Sequence, residues 1–266
     1  MTSVLALVRA GWLTASSYRL SLLLSVGSLL LMVVPLYFVA GALQPVMAES
    51  IASQGGEYFA FLVLGMMVLT LLTTAVNALP GAVGSSIANG TLEAMLTTRV
   101  RLPELLVGMM GYPLIWTGAR AALLLAAGLA LGVHLAWERS LAGLLILGLI
   151  VLAHIPFGLI AASGVLAFRT TGSIPQAVLA LSGLLGGVYY PTHVIPSWLE
   201  SVSGAIPLTY GLRALRRTML EGETLAGVFP DLAVLCGLAA LLYAVSLLLL
   251  HWALRYSRRV GSLAFY

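Results

Sequence analysis

Long apolar runs separated by short polar intervals dominate the chain. A helix of about 20 apolar residues crosses the roughly 30 Å hydrocarbon core of a bilayer. Six runs are predicted to do so: residues 20–43, 58–79, 105–137, 141–168, 174–190 and 232–254. The pattern therefore predicts an all-α integral membrane protein with six transmembrane helices, and it treats residues 1–266 as a single domain.

The third run is longer than a simple span needs, and Arg120 interrupts it. It predicts either one helix with a protruding cytoplasmic foot or two short spans. With one span, the side that holds both termini carries eight arginines and the other side carries four. Because cytoplasmic loops are enriched in Lys and Arg, this balance favours one span, six crossings and cytoplasmic termini.

Residues 2–17 have an amphipathic pattern. Val4, Val8 and Trp12 share one helical face, and Arg9 and Ser16 lie opposite. Such a pattern is typical of a helix that lies in the membrane interface. An N-terminal interfacial helix is therefore expected.

Residues 191–220 interrupt the series of spans. Pro191, Pro196 and Pro207 are incompatible with one continuous helix, because each proline removes a backbone donor. The stretch is also too apolar for a surface loop, so it predicts an extracellular re-entrant helical hairpin before the last span. It is expected to end in a surface helix with an apolar face and a polar face. The apolar face comprises Leu208, Leu212, Leu215 and Met219, and the polar face comprises Arg213, Arg216 and Arg217.

Three polar residues lie within the predicted spans. Asn77 is expected to hydrogen-bond a neighbouring helix. His154 is expected to bond a neighbour rather than to relay protons. For Arg120 two interpretations stay open: a site facing an inner cavity, or a shallow position from which the side chain snorkels to the interface.

Composition excludes several functions. The chain is 61% hydrophobic and 8% charged, and it contains no Lys, so it has no Walker A loop, whose Lys contacts the nucleotide. No acid lies within a predicted span, the four histidines are scattered and Cys236 is the lone cysteine. We therefore expect no catalytic residue and no metal site. The net charge of +4 is too small and too scattered to indicate nucleic-acid binding.

The motif YYP–IP–WL–PLTY–LR between Tyr189 and Arg216 resembles the signature of the ABC type-2 exporter permeases. That family includes drug-resistance, nodulation-factor and polysaccharide export permeases. The resemblance implies an outer gate in the re-entrant segment. The candidate gate residues are Tyr189, Tyr190, Pro191, Pro196, Trp198, Pro207, Thr209 and Tyr210.

A second motif, GTLEAMLTT, resembles the cytoplasmic coupling helix of the same family, which docks into the ATPase. It lies within residues 90–101. Independently of the resemblance, Thr91 can cap a short helix, and Leu92 and Leu96 share a face that fits a partner groove. The candidate coupling residues are Gly90, Thr91, Leu92, Glu93, Met95, Leu96 and Thr98.

The resemblance implies a permease subunit of an ATP-driven exporter in a bacterial or archaeal cell membrane. Separate ATPase subunits would bind ATP and Mg²⁺, and a second permease subunit, identical or paralogous, would complete the assembly among membrane lipids. An apolar or amphipathic cargo, drug-like or lipid, is expected. The alternatives are polysaccharide or lipid-linked glycan export and, with less support, an ion-coupled carrier.

Overall fold

The computed structural model describes residues 19–91, 102–170 and 173–260, together with the isolated helical positions Arg9 and Trp12. These residues form helices and no strand. The helices are α1 (Arg19–Met47), α2 (Tyr58–Ala88), α3 (Leu102–Ala130), α4 (Ser140–Phe168), α5 (Ile174–Leu185), α6 (Ser197–Ser203), α7 (Pro207–Leu220) and α8 (Phe229–Val260). Apart from Arg9 and Trp12, the predicted interfacial helix at 2–17 lies outside the described residues.

Among the described residues, five stretches are long and apolar enough to cross a membrane: Gly27–Met47, Tyr58–Ala88, Glu104–Ala130, Trp137–Phe168 and Phe229–Ser257. The helix α5 is different, because its 12 residues extend only about 18 Å. The predicted span 174–190 is thus too long. The helix ends at Leu185, and Gly187 then adopts a φ of 79° and turns the chain.

The third apolar run forms one helix, so the two-span alternative is wrong. The helix α3 continues through Pro113 and past Arg120. It ends at Ala130, before the predicted limit at residue 137, and Gly132 follows with a φ of 103°.

The helix α2 lies at the centre of the bundle and contacts α1, α3, α4, α5 and α7. It was predicted to end at Leu79, but it continues through a buried Pro80 to Ala88. Proline is tolerated inside membrane helices where neighbouring structure compensates for the lost bond. The 31 residues of α2 form a rod about 46 Å long.

Loops from three parts of the chain meet at one end of the bundle, which we call the hairpin end. The backbone N–H of Gly55 donates to Oε1 of Glu221 at 3.1 Å. The N–H of Ala136 donates to the carbonyl of Met219 at 2.8 Å. At the opposite end, Ser257 Oγ donates to the Leu166 carbonyl at 2.7 Å and fastens α8 to α4.

Candidate functional site

The hairpin, residues 186–220, follows α5 and leads through α6 into α7. Hydroxyl groups hold its turns together. Ser203 Oγ donates to the Leu185 carbonyl at 2.7 Å, and Thr209 Oγ1 donates to the Ser203 carbonyl at 2.9 Å. Pro207 starts α7 without loss, because the first helical N–H has no helical partner.

The candidate gate residues separate into an inner and an outer group. The buried members are Pro191, Pro207 and Thr209. Tyr190 and Tyr210 are half-buried, and the exposed members are Tyr189, Pro196 and Trp198. The phenol of Tyr210 donates to the Gly204 carbonyl at 3.0 Å. The exposed aromatic rings of Tyr189 and Trp198 suit a membrane interface, where such rings are enriched.

The prediction that Arg216 lies on the polar face of α7 is wrong. Its exposed fraction is 1%, whereas a surface position was expected. Its Nη1 donates to the Gly187 carbonyl at 2.7 Å and to Oε1 of Gln54 at 3.4 Å. Its Nη2 donates to the Phe61 carbonyl at 2.9 Å and to the Val188 carbonyl at 3.1 Å. One guanidinium thus joins α7, the start of the hairpin and α2.

The charge of Arg216 is balanced by dipoles and by a ring. Its Cζ lies 3.3 Å from the centroid of Phe61, which is a cation–π contact. Arg216 takes no part in the ion pairs of its neighbours on α7, Arg213–Asp231 and Arg217–Glu223. Arginine keeps its proton in proteins, so the group stays charged at neutral pH.

Every acceptor around Arg216 matters energetically. Removing a guanidinium from water costs several kcal/mol. A hydrogen bond to a charged group contributes about 1.5–3 kcal/mol, so the loss of one or two acceptors leaves a buried charge undercompensated.

Gly65 makes the approach of the hairpin to α2 possible. A Cβ at this position would lie 2.6 Å from the Val188 carbonyl oxygen and 2.8 Å from Arg216 Nη2. Any side chain would therefore displace the loop or the guanidinium. Neither Gly65 nor the burial of Arg216 was predicted, although Arg216 is part of the matched motif.

The other two arginines of α7 occupy more exposed positions. Arg213 Nε donates to Asp231 Oδ1 at 3.0 Å and to Oδ2 at 3.1 Å. Arg217 Nη2 donates to Glu223 Oε1 at 3.3 Å. The first pair fastens α7 to the start of α8.

The three polar residues within the spans do not converge. Asn77 Nδ2 donates to the Thr73 carbonyl of its own helix at 2.8 Å, rather than to a neighbouring helix as predicted. His154 is fully buried, with Nδ1 2.8 Å from the Ile150 carbonyl and with Nε2 lacking a partner. Arg120 is half-buried, and its Nε has no hydrogen-bond partner.

Asn77 belongs to a polar stripe along α2. The stripe comprises Thr70, Thr73, Asn77, Gly81 and Ser85, spaced three or four residues apart and half-buried or exposed. Residues at this spacing share one face of a helix. Most of the remaining surface of α2 is buried, so its uncovered face is polar or small rather than apolar.

The candidate coupling residues follow the opposite end of α2. Gly90 adopts a φ of 66°, which ends the helix. Thr91 Oγ1 donates back to the Ser86 carbonyl at 3.3 Å. The other candidates, Leu92, Glu93, Met95, Leu96 and Thr98, lie outside the described residues.

The membrane-length helices define the class: this is a multi-pass membrane protein. Within the described ranges, no group of three or more His, Cys, Asp or Glu side chains is placed to hold a metal ion. The chain belongs to the ABC-2 type transporter family, whose model matches residues 2–220. It is therefore a transport subunit of the permease type, and the resemblance seen in its motifs is confirmed.

Two relatives are both called Nodulation protein J. The one from Rhizobium leguminosarum bv. trifolii is 27% identical over 189 residues, which is 68% of this chain and 69% of the relative. The one from Bradyrhizobium diazoefficiens is 25% identical over 175 residues, which is 63% of this chain and 64% of the relative.

Proposed function

We propose that this protein is the membrane-spanning subunit of an ATP-driven exporter. The observation that carries the proposal is the match to the ABC-2 type family over most of the chain. Members of this family normally work with ABC ATPase subunits. Because the chain contains no Lys, and so no Walker A loop, ATP and Mg²⁺ bind to those partner subunits.

The distribution of charge supports an orientation. Arg169, Arg255 and Arg259 lie at the opposite end of the bundle, whereas Glu49, Glu57, Glu221 and Glu223 lie at the hairpin end. The positive-inside rule therefore assigns the opposite end to the cytoplasm, together with both termini. In this topology α5 and the hairpin make the fifth of six crossings, and residues 2–17 lie in the inner interface.

Two permease subunits, identical or paralogous, complete the transporter. A polar stripe facing lipid is unfavourable, so the stripe on α2 faces the second subunit or the cargo. ATP binding drives the ATPases together and pushes residues 90–101. The spans then tilt, and the re-entrant hairpin opens towards the outside.

The cargo is amphipathic. The long spans offer an apolar environment with few charges, which suits a lipid-like part, and the hydroxyl and amide groups of the stripe suit a polar part. Both relatives carry nodulation in their names, and nodulation-factor exporters are among the permeases that the motif resembles. This favours a lipid-linked glycan or polysaccharide over a drug-like molecule.

Co-purification tests the division of labour. Leu92→Asp with Leu96→Asp should abolish recovery of the ATPase, because two charges enter the apolar face of the coupling segment. Leu225→Asp adds the same charge to an exposed loop at the hairpin end, and it should leave recovery unchanged. Full recovery with the double variant, or ATP hydrolysis by the purified chain alone, contradicts the proposal.

A deletion strain tests the cargo. Loss of surface glycan with normal efflux of labelled dyes is expected, and the wild-type chain should restore the glycan. Loss of dye efflux with normal glycan would instead favour a drug-like cargo.

A further inference from the structure

Arg216 lies where the hairpin meets α2, the most buried of the membrane-length helices in the described residues. We propose that Arg216 is a positioning residue that locks the hairpin to α2, so that a movement of α2 is transmitted to the outer gate. The inference rests on the proposed function, because it assigns α2 the role of carrying a movement from the coupling segment to the hairpin.

The two attachments of α2 are at its two ends. Phe61 and Gly65 meet the hairpin near the start of the helix, and Gly90 and Thr91 lead into the coupling segment after its end. The helix between them is continuous. From Phe61 to Ala88 it extends about 40 Å, which is sufficient to cross the membrane. A push on one end can therefore reach the other end along one continuous helix.

The join at the hairpin end consists of directional bonds. Arg216 donates to the Phe61 carbonyl of α2 and to the Gly187 and Val188 carbonyls of the hairpin. The phenol of Tyr58 adds a bond from α2 to the Tyr189 carbonyl, at 2.9 Å. Apolar surfaces can slide past each other, whereas these bonds are lost when the hairpin shifts by more than a fraction of an ångström.

The burial of Arg216 makes a partial release unfavourable. If the hairpin moved away from α2, the guanidinium would keep its charge but lose acceptors in a water-poor site. The hairpin and α2 are thus held as one body. The planar guanidinium of Arg can donate from separate nitrogens to acceptors on α2 and on the hairpin at the same time. Lys cannot fully replace it, because its donors are all on a single nitrogen.

Gly65 supplies an independent way to perturb the same join. Alanine at position 65 would press against the Val188 carbonyl and Arg216 Nη2 without altering the guanidinium. Gly84 lies on the same helix but outside the polar stripe, and a Cβ there would lie 3.9 Å from its nearest atom, Val165 Cγ1, which is an ordinary contact. Gly65→Ala and Gly84→Ala are therefore a matched pair. A second matched pair is Arg216→Gln and Arg217→Gln, since Arg217 is the next residue of α7 but is partly exposed.

The experiment measures export per ATP hydrolysed by the complete transporter in proteoliposomes. Arg216→Gln and Gly65→Ala should keep the ATPase subunits bound and ATP hydrolysis active, but export per ATP should fall about tenfold, a typical size for a coupling between sites. Arg216→Lys should give an intermediate loss. Arg217→Gln and Gly84→Ala should match the wild type.

A spin label on Val194 reports the movement itself. Val194 is exposed on the hairpin, and replacing the lone Cys236 by Ser gives a background without cysteine. In the wild type, the distance between labels on the two permease subunits should change when an ATP analogue replaces ADP. In Arg216→Gln and Gly65→Ala, this change should be reduced or lost while the analogue still binds.

Normal export per ATP and a normal change in label distance in Gly65→Ala or Arg216→Gln would overturn the proposal. If Arg216→Gln fails to accumulate, Gly65→Ala decides by the same two measurements. A wild-type chain that recovers no ATPase subunit would instead contradict the proposed function. The two failures are therefore distinguishable.

Discussion

The two ends of the bundle are built by different means. At the hairpin end, loops are joined across long stretches of chain by hydrogen bonds, which include those of Arg216 and the Gly55–Glu221 bond. At the opposite end, α4 and α8 meet through apolar packing, the bond from Ser257 to Leu166 and an aromatic cluster. Trp252 stacks on Tyr256 with ring centroids 5.4 Å apart, and Phe168 lies 6.2 Å from each ring.

This difference matches two different tasks. A hairpin with three prolines cannot satisfy its backbone by helical bonds, so side chains and N–H groups from other loops do so. Regular helices at the opposite end need no such help, and their exposed aromatic rings suit the membrane interface. Polar bonds thus set the position of the hairpin, whereas packing is sufficient for the helix ends.

The largest difference in stability between the two ends is expected when a glycine is replaced by alanine, which adds a methyl group. Gly211→Ala at the hairpin end would place Cβ 2.4 Å from Ile150 Cγ1, which forces α7 away from α4. We expect a loss of about 2 kcal/mol in unfolding free energy, seen as a lower thermal midpoint in detergent. Gly164→Ala, further along α4, meets its nearest atom at 3.8 Å and should change the midpoint little. Equal shifts in both variants would contradict the contrast.

The contribution of each ion pair at the hairpin end to stability should increase with its burial. Asp231→Asn weakens the bond to Arg213, and Asp231 is 7% exposed. We expect a loss of about 1–2 kcal/mol in denaturant or thermal unfolding. Glu223→Gln affects a more exposed pair with Arg217, so it should cost at most about 0.5 kcal/mol. A larger effect for Glu223→Gln would show that burial does not rank these pairs.

The Tyr58 hydroxyl tests one hairpin bond alone. Tyr58→Phe removes the donor to the Tyr189 carbonyl and should cost about 1 kcal/mol in thermal unfolding, because a partly buried hydrogen bond is lost. Tyr37→Phe makes the same change on α1, where the ring contacts Phe59, and serves as the control. Equal thermal midpoints for the two variants would contradict a stabilising role of the Tyr58 hydrogen bond.

The smallest effect is expected at the opposite end. Trp252→Ala removes a ring that is half exposed, so the loss of its stacking on Tyr256 should cost about 0.5 kcal/mol. The thermal midpoint in detergent measures it. A loss larger than that of Tyr58→Phe would reverse the ranking of the two ends.

Much of the architecture follows from hydrophobic patterning. Residues 141–168 were predicted as a span, and α4 occupies Ser140–Phe168, because a charge-free apolar run leaves few alternatives. The end of α2 was misplaced because Pro80 resembles a helix stop in a soluble protein. Within a bundle, proline can continue a helix, and the pattern alone does not distinguish the two cases.

The burial of Arg216 could not be predicted by separating polar from apolar positions. On a helical wheel it lies about 40° from Leu212, at the edge of the apolar face. Three of its four acceptors are the backbone carbonyls of Phe61, Gly187 and Val188, and every residue type carries such a carbonyl. The fourth, Oε1 of Gln54, is uncharged. The sequence therefore contains no complementary side-chain charge that would indicate burial.

The hydrogen bonds that Arg216 donates to peptide carbonyls do not weaken as the pH falls. None of the acceptors around Arg216 gains a proton in the range where carboxylates do, and arginine itself keeps its proton in proteins. The folded and unfolded chains therefore hold the same proton on this group, which adds no pH dependence to stability between mildly acidic and neutral pH. In the proposed orientation, the hairpin would stay attached to α2 when the outside medium becomes acidic.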